Sequence, residues 1–269
     1  MVKKLFKHEF LSLMRLLLPV YAILIGESIL GRIMQIFESD SIVYITITVF
    51  SAIVYFISIS AVFMLTTVFC VVRFYKNMFT GEGYLTFTLP VTPTQHIMVK
   101  TLTAMAFQVF SALSVIISLS ILTMGDASNE IIKAAVYLYK MIDPSITPHL
   151  WLYALEIIIL MILAGGVGIM LFYTCITIGQ TFNKNRILGA VGVYFGYQVA
   201  MQILSSIFSI MLSVFVSEEV SETVARFIEA HIKGFIHSAI CGSILLSALL
   251  GMVYFFIIKA IITKKLNLE

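Results

Sequence analysis

The sequence predicts an all-α integral membrane chain. It should have six transmembrane helices, an amphipathic interfacial helix at the N-terminus and a short cytoplasmic helix between spans two and three. Three observations carry that expectation. The 269 residues are 60% hydrophobic and 12% charged, with a mean hydropathy of +1.05, against about half apolar and a quarter charged in a soluble domain. The apolar residues gather in six runs, several of them longer than the roughly 20 residues that cross a hydrocarbon layer. Lysine and arginine collect on one side once those runs are counted as crossings. A single membrane domain over residues 1–269 follows.

The first seventeen residues are too charged to be a span. Val2, Phe6, Phe10, Leu13 and Leu17 recur at helical spacing, while Lys4, Lys7, His8 and Arg15 fall on the other side. That pattern suits a helix lying in the headgroup layer, and Pro19 is expected to mark the turn into the membrane. The stretch lacks the uninterrupted apolar core and small-residue cleavage site of a signal peptide, so the N-terminus is expected to be retained.

Spans are expected near residues 18–37, 42–72, 97–123, 151–178, 187–216 and 236–262. An even number of crossings places both termini on one side. With that side cytoplasmic, Lys3, Lys4, Lys7, Arg15, Arg73, Lys76, Lys100, Lys184, Arg186, Lys259, Lys264 and Lys265 are inside. Lys133, Lys140, Arg226 and Lys233 remain outside with most of the acidic residues, and Arg32 lies near the outer end of span one. The orientation therefore obeys the positive-inside rule.

Two outer connections are long enough to fold. In the last, Val220, Val224, Phe227, Ile228 and Phe235 form a stripe opposite Glu219, Glu222, Arg226, Glu229 and Lys233, which predicts a surface helix opening near Ser217. The connection around residues 131–142 shows a weaker pattern and ends in Asp143-Pro144 and Thr147-Pro148, which read as turns.

The longest cytoplasmic connection, Arg73-Phe-Tyr-Lys-Asn-Met-Phe-Thr-Gly-Glu-Gly-Tyr-Leu-Thr-Phe-Thr-Leu-Pro-Val-Thr-Pro-Thr-Gln-His96, is the most densely punctuated. Gly81 and Gly83 flank Glu82, residues 84–89 allow one or two helical turns, and Pro90 stops them. Thr92, Pro93 and Gln95 then form a capping box for span three, with proline at the first helical position. An aromatic helix carrying Tyr84, Leu85, Phe87 and Leu89 across the membrane face calls for a protein partner.

This segment resembles the permeases of the ABC-2 exporter group, in particular the half-size, six-span type of Gram-positive bacteria. In that family a basic stretch leads into a Glu-Gly-Tyr-Leu-Thr-like coupling helix and a Leu-Pro turn, and the helix docks in a groove of the ATPase. Glu82, Gly83, Tyr84, Leu85, Leu89 and Pro90 match it, with Phe87 beside them, inside a coupling segment spanning residues 79–92. The resemblance implies two such permeases, a second copy or a paralogue, each with a separate ABC ATPase beneath it. It implies ATP-driven export from a bacterial cell membrane. No G-x-x-x-x-G-K-[ST] occurs, so this chain is expected to hold no cofactor, and ATP and Mg belong to the partner.

Few polar residues lie within the spans. Glu27 is mid-span, where a carboxylate costs about 2.5–3.5 kcal/mol on insertion scales; it either meets a cationic substrate or pairs with a neighbouring helix or Arg32. Glu156 lies nearer the outer surface and reads as a boundary residue. Tyr194, Gln198 and Gln202 either line a pathway or make interhelical hydrogen bonds. Gly189, Gly192 and Gly196 permit close helix approach, within the subunit or between subunits. Cys70, Cys175 and Cys241 lie in apolar runs without metal spacing and read as buried, inert thiols. The five histidines are scattered and read as solvated or interfacial.

Rival functions find less in the residues. Glu218-Glu219 and Phe227-x-x-x-His231 echo an intramembrane peptidase family, but Thr223 stands where that family needs arginine and no His-x-x-x-Asn follows. No H-E-x-x-H or nucleophile elbow occurs, and nothing supports nucleic-acid binding. A secondary transporter or channel built around Glu27 is the alternative, although such proteins show internal repeats and broken helices that are not found here. The apolar, aromatic spans suit a hydrophobic or amphipathic cargo such as an antimicrobial peptide, a drug or a lipid-like molecule.

Overall fold

The computed structural model describes residues 2–37, 39–81, 83, 91–142, 146–182, 184–215, 223, 224, 226, 227 and 230–264. Its helices are α1 (Val2–Ile36), α2 (Ile42–Phe79), α3 (Pro93–Leu122), α4 (Asp126–Met141), α5 (Leu150–Gly179), α6 (Arg186–Phe215) and α7 (Ile232–Lys264), with a 3-10 turn at Thr147–His149 before α5. All but α4 are long and apolar enough to cross a membrane, so six long apolar helices make this a multi-pass membrane chain. The chain forms two compact units, Met1–Met78 with Tyr84–Asp143, and Phe79–Gly83 with Pro144–Glu269.

In the first unit α3 is the core. Ile97, Lys100, Ala104, Phe107, Ser111, Ser114 and Ser118 are buried along it, alternating three- and four-residue steps, the seam of a coiled coil. Three serines in its second half let other backbones approach closely, the usual device where lipid removes the hydrophobic drive between helices. Hydroxyls then join the helices. Tyr21 Oη on α1 lies 3.1 Å from Ser111 Oγ, Thr66 Oγ1 on α2 lies 2.8 Å from the same oxygen, and Tyr55 Oη is 2.7 Å from Ser118 Oγ. The buried residues of α2, namely Val62, Thr66, Cys70, Phe74 and Met78, recur every fourth position and so make one ridge.

Two expectations for α1 are corrected. The helix continues through Pro19 with no turn into the membrane; the backbone bond a proline removes is tolerated in membrane helices. The apolar stripe of its first half also meets protein, since the rings of Phe10 and Phe107 stand 5.0 Å apart and Leu13 and Leu17 are buried. A stripe that fits a headgroup layer fits an α3 groove equally well, because both remove the same side chains from water. At the other end of α1, Gly125 (φ +96°) caps α4 beside the Arg32 guanidinium, a backbone conformation that glycine adopts without strain. The connection given the weaker helical pattern is thus a helix, α4, whose described side chains are all exposed.

In the second unit α5 packs against α6 and α7. Ile169, Met170, Tyr173 and Thr177 of α5 are buried, as are Tyr254, Ile258 and Ile262 of α7. Gly179 ends α5 so close to α6 that an added Cβ would lie 2.6 Å from the Ala190 backbone nitrogen. Tyr197 and Tyr254 hydroxyls meet at 2.8 Å. The predicted surface helix of the last outer connection falls largely outside the described residues, of which Thr223, Val224, Arg226, Phe227 and Ala230 are helical.

Candidate functional site

The connection that carries the family resemblance is bounded by α2 and α3. Glu82, Tyr84, Leu85, Phe87, Leu89 and Pro90 lie outside the described residues; Gly83 is buried, and its N–H donates to Thr80 O at 2.7 Å. The far boundary is well defined. Thr92 is the N-cap of α3, its Oγ1 accepts from Gln95 N at 3.4 Å, and Thr92 N donates to Gln95 Oε1 at 3.1 Å. Pro93 follows at the first helical position, as the capping-box spacing predicts.

Beside this boundary is a buried ionic cluster. Glu9 of α1 is 5% exposed. Its Oε2 accepts from Arg73 Nε of α2 at 2.5 Å, and its Oε1 accepts from Asn77 Nδ2 at 3.0 Å and from Lys100 Nζ of α3. Lys100 is equally buried, whereas Arg73 is partly open to solvent. One carboxylate therefore receives donors from both helices that bound the connection. Breaking such a buried pair leaves a charge uncompensated and costs about 3–5 kcal/mol, so α1, α2 and α3 are held together at this end.

Sequence reasoning placed Arg73 and Lys100 only as topology-setting charges and passed over Glu9. A partial signal existed, since Glu9 is the sole acid before Glu27 in a stretch rich in lysine. Its partners lie 64, 68 and 91 residues away, beyond any local pattern. His96, one turn before Lys100, is buried rather than solvated; the helix that caps at Thr92 turns it inward.

Glu27 lies in the same unit on the wall of a half-open cavity of about 360 Å³. Gly31 and Gln35 of α1, Thr48 and Tyr55 of α2, and Leu122 of α3 share the lining. Glu27 Oε2 is buried with no hydrogen-bond partner among the described residues. Of the alternatives for Glu27, pairing with Arg32 is not made; Arg32 Nη1 instead donates to Gln35 Oε1 at 3.0 Å. Five residues apart on one continuous helix, the two side chains leave α1 on different faces.

In the second unit Gln198 Nε2 donates to Tyr194 Oη at 2.9 Å within α6, and Tyr194 stacks on Phe172 of α5 at 5.2 Å. Gln198 and Gln202 are exposed. Gly189 serves the turn into α6, where an added Cβ would lie 2.8 Å from Phe182 Cδ2. Gly192 and Gly196 have no atom of their unit within 4 Å of such a Cβ, so their face is open.

Two further readings are corrected. Glu156 is no snorkelling boundary residue: it is 7% exposed, and its Oε1 accepts from His237 Nδ1 at 2.6 Å. Cys70 and Cys175 are buried as expected, but Cys241 is only half-buried, next to that histidine. His237 and Cys241 are one turn apart on α7, a local spacing that sequence reasoning missed, whereas Glu156 reaches them only through the packing of α7 on α5. No protein-family model, curated protein or solved structure matches this chain.

Proposed function

We propose that this chain is the membrane-spanning permease subunit of an ABC-2 type ATP-driven exporter in a bacterial cell membrane, with both termini cytoplasmic. It would move a hydrophobic or amphipathic substrate outward: an antimicrobial peptide, a drug or a lipid-like molecule. Separate ATPase subunits, two per complex, supply ATP hydrolysis with Mg, and residues 79–92 dock on them as the coupling segment. A second permease, identical or paralogous, completes the pathway; the open face at Gly192 and Gly196 suits that contact.

The observation that carries the reading is the Glu9 cluster. A coupling segment must pass a push from the ATPase into the membrane helices without the flanking helices yielding separately. Glu9 joins Arg73 and Asn77, just before the segment, to Lys100, just after it. A displacement of the connection then moves α1, α2 and α3 as one body.

Expression of the tagged chain in a Gram-positive bacterial host, followed by pull-down from native nanodiscs, tests this. Wild type should co-purify a P-loop ATPase, and Glu82→Lys or Leu85→Asp should lose it while the helices stay folded. Well-folded wild type that retains no ATPase would sink the reading.

A second reading has its own observation, the Glu27 carboxylate on an apolar cavity. A secondary transporter or channel for lipophilic cations would use it. Proteoliposomes containing this chain alone should then take up tetraphenylphosphonium, and Glu27→Gln should abolish uptake; no uptake by wild type removes that alternative.

A further inference from the structure

Glu156, His237 and Cys241 form a constellation that neither transport reading uses. Glu156 is on α5, and His237 and Cys241 are one turn apart on α7. A carboxylate oxygen, an imidazole nitrogen and the thiol sulfur all lie within 4.8 Å of one another. Cys241 Sγ stands 3.8 Å from His237 Nε2 and 4.0 Å from Nδ1. We infer that these three side chains bind a divalent transition-metal ion, with Zn²⁺ as the best fit.

A simple ion pair accounts for only part of the arrangement. It explains Glu156 Oε1 against His237 Nδ1, but Glu156 Oε2 remains buried without a hydrogen-bond partner among the described residues. A buried carboxylate oxygen left unmatched is costly, and a cation drawn toward the carboxylate would satisfy it. The donor set of one carboxylate, one imidazole and one thiolate is the mixed O, N and S set that Zn²⁺ accepts. Three protein ligands leave a fourth tetrahedral position for water or a substrate group.

The charges of the donor set match the ion. One carboxylate, one thiolate and one neutral imidazole around a dication sum to no net charge, so the occupied site leaves no charge uncompensated between α5 and α7.

The framework is held and reachable. One turn before Glu156 on α5, Tyr153 Oη donates to Lys233 O, which lies one turn before His237 on α7, at 3.3 Å. This bond keeps the two helices in register. The His237 side chain is 52% exposed and Cys241 half-buried, which provides an entry path from solvent.

The full-length protein in detergent or nanodiscs, stripped with a chelator, would be titrated with Co²⁺ and with Zn²⁺. One Co²⁺ per chain should bind and give a thiolate-to-metal charge-transfer band. Cys241→Ser should abolish that band although Cys70 and Cys175 remain. His237→Ala and Glu156→Gln should each weaken Zn²⁺ by more than the roughly 10–100-fold that loss of an outer hydrogen-bond partner costs. Because Glu156→Gln could perturb folding, Cys241→Ser with an unchanged elution profile is the deciding variant. Wild-type protein that gives no thiolate band, or one that persists in Cys241→Ser, overturns the assignment.

Discussion

Glu9 and Glu27 lie on the same helix, in the same unit, and have opposite surroundings. Glu9 receives Arg73, Asn77 and Lys100 from two other helices, while Glu27 Oε2 meets no donor among the described residues and faces a cavity. The difference teaches how to separate a carboxylate that holds helices together from one kept available. Removing the first takes away the acceptor shared by three donors. Removing the second relieves a cost.

The comparison can be broken most sharply at Glu9. Glu9→Ala should destabilise the protein by about 3–5 kcal/mol, because the buried carboxylate to which Arg73, Asn77 and Lys100 donate is lost, and thermal unfolding in nanodiscs would register it. Glu27→Leu should move stability the other way, by up to about 2.5–3.5 kcal/mol, the insertion cost of a mid-membrane carboxylate. A loss of stability in Glu27→Leu would mean that this carboxylate is also structural, and the contrast would collapse. Lys100→Met, which leaves Arg73 and Asn77 on Glu9, should cost less than Glu9→Ala, about 1.5–3 kcal/mol for one charged hydrogen bond. A double-mutant cycle with Glu9→Ala would show strong coupling if the cluster acts as a unit.

The smallest effect belongs to the cap. Thr92→Ala should cost about 1 kcal/mol and fray the start of α3, the helix that carries Lys100. Hydrogen exchange at Gln95 and His96 would rise while exchange around Glu27 stays unchanged. A global rather than local loss of protection would show that the cap and the Glu9 cluster are one cooperative element.

Much of the fold was legible because membrane helices announce themselves locally. Six helices long and apolar enough to cross a membrane are present, and the Thr92-Pro93-Gln95 capping box formed as its spacing predicts. A hydrocarbon layer needs a minimum apolar length, and an exposed helix end needs a cap; both conditions act on neighbours in sequence. The candidate site was less legible. Its anchoring residue, Glu9, takes its donors from 64, 68 and 91 residues away, and the Pro19 turn expected from local rules is absent.

By itself, then, the sequence determined that six long apolar helices form and where the capping box opens α3. Tertiary structure decided which apolar stripe met protein, as when Phe10 met Phe107, and which charges were neutralised, as at Glu9 and Glu156. The physical reason is that lipid and protein are equally apolar to a helix face. Periodicity records that a face is dry but not what keeps it dry, and a buried charge is matched by whichever helix packs against it, however distant in the chain.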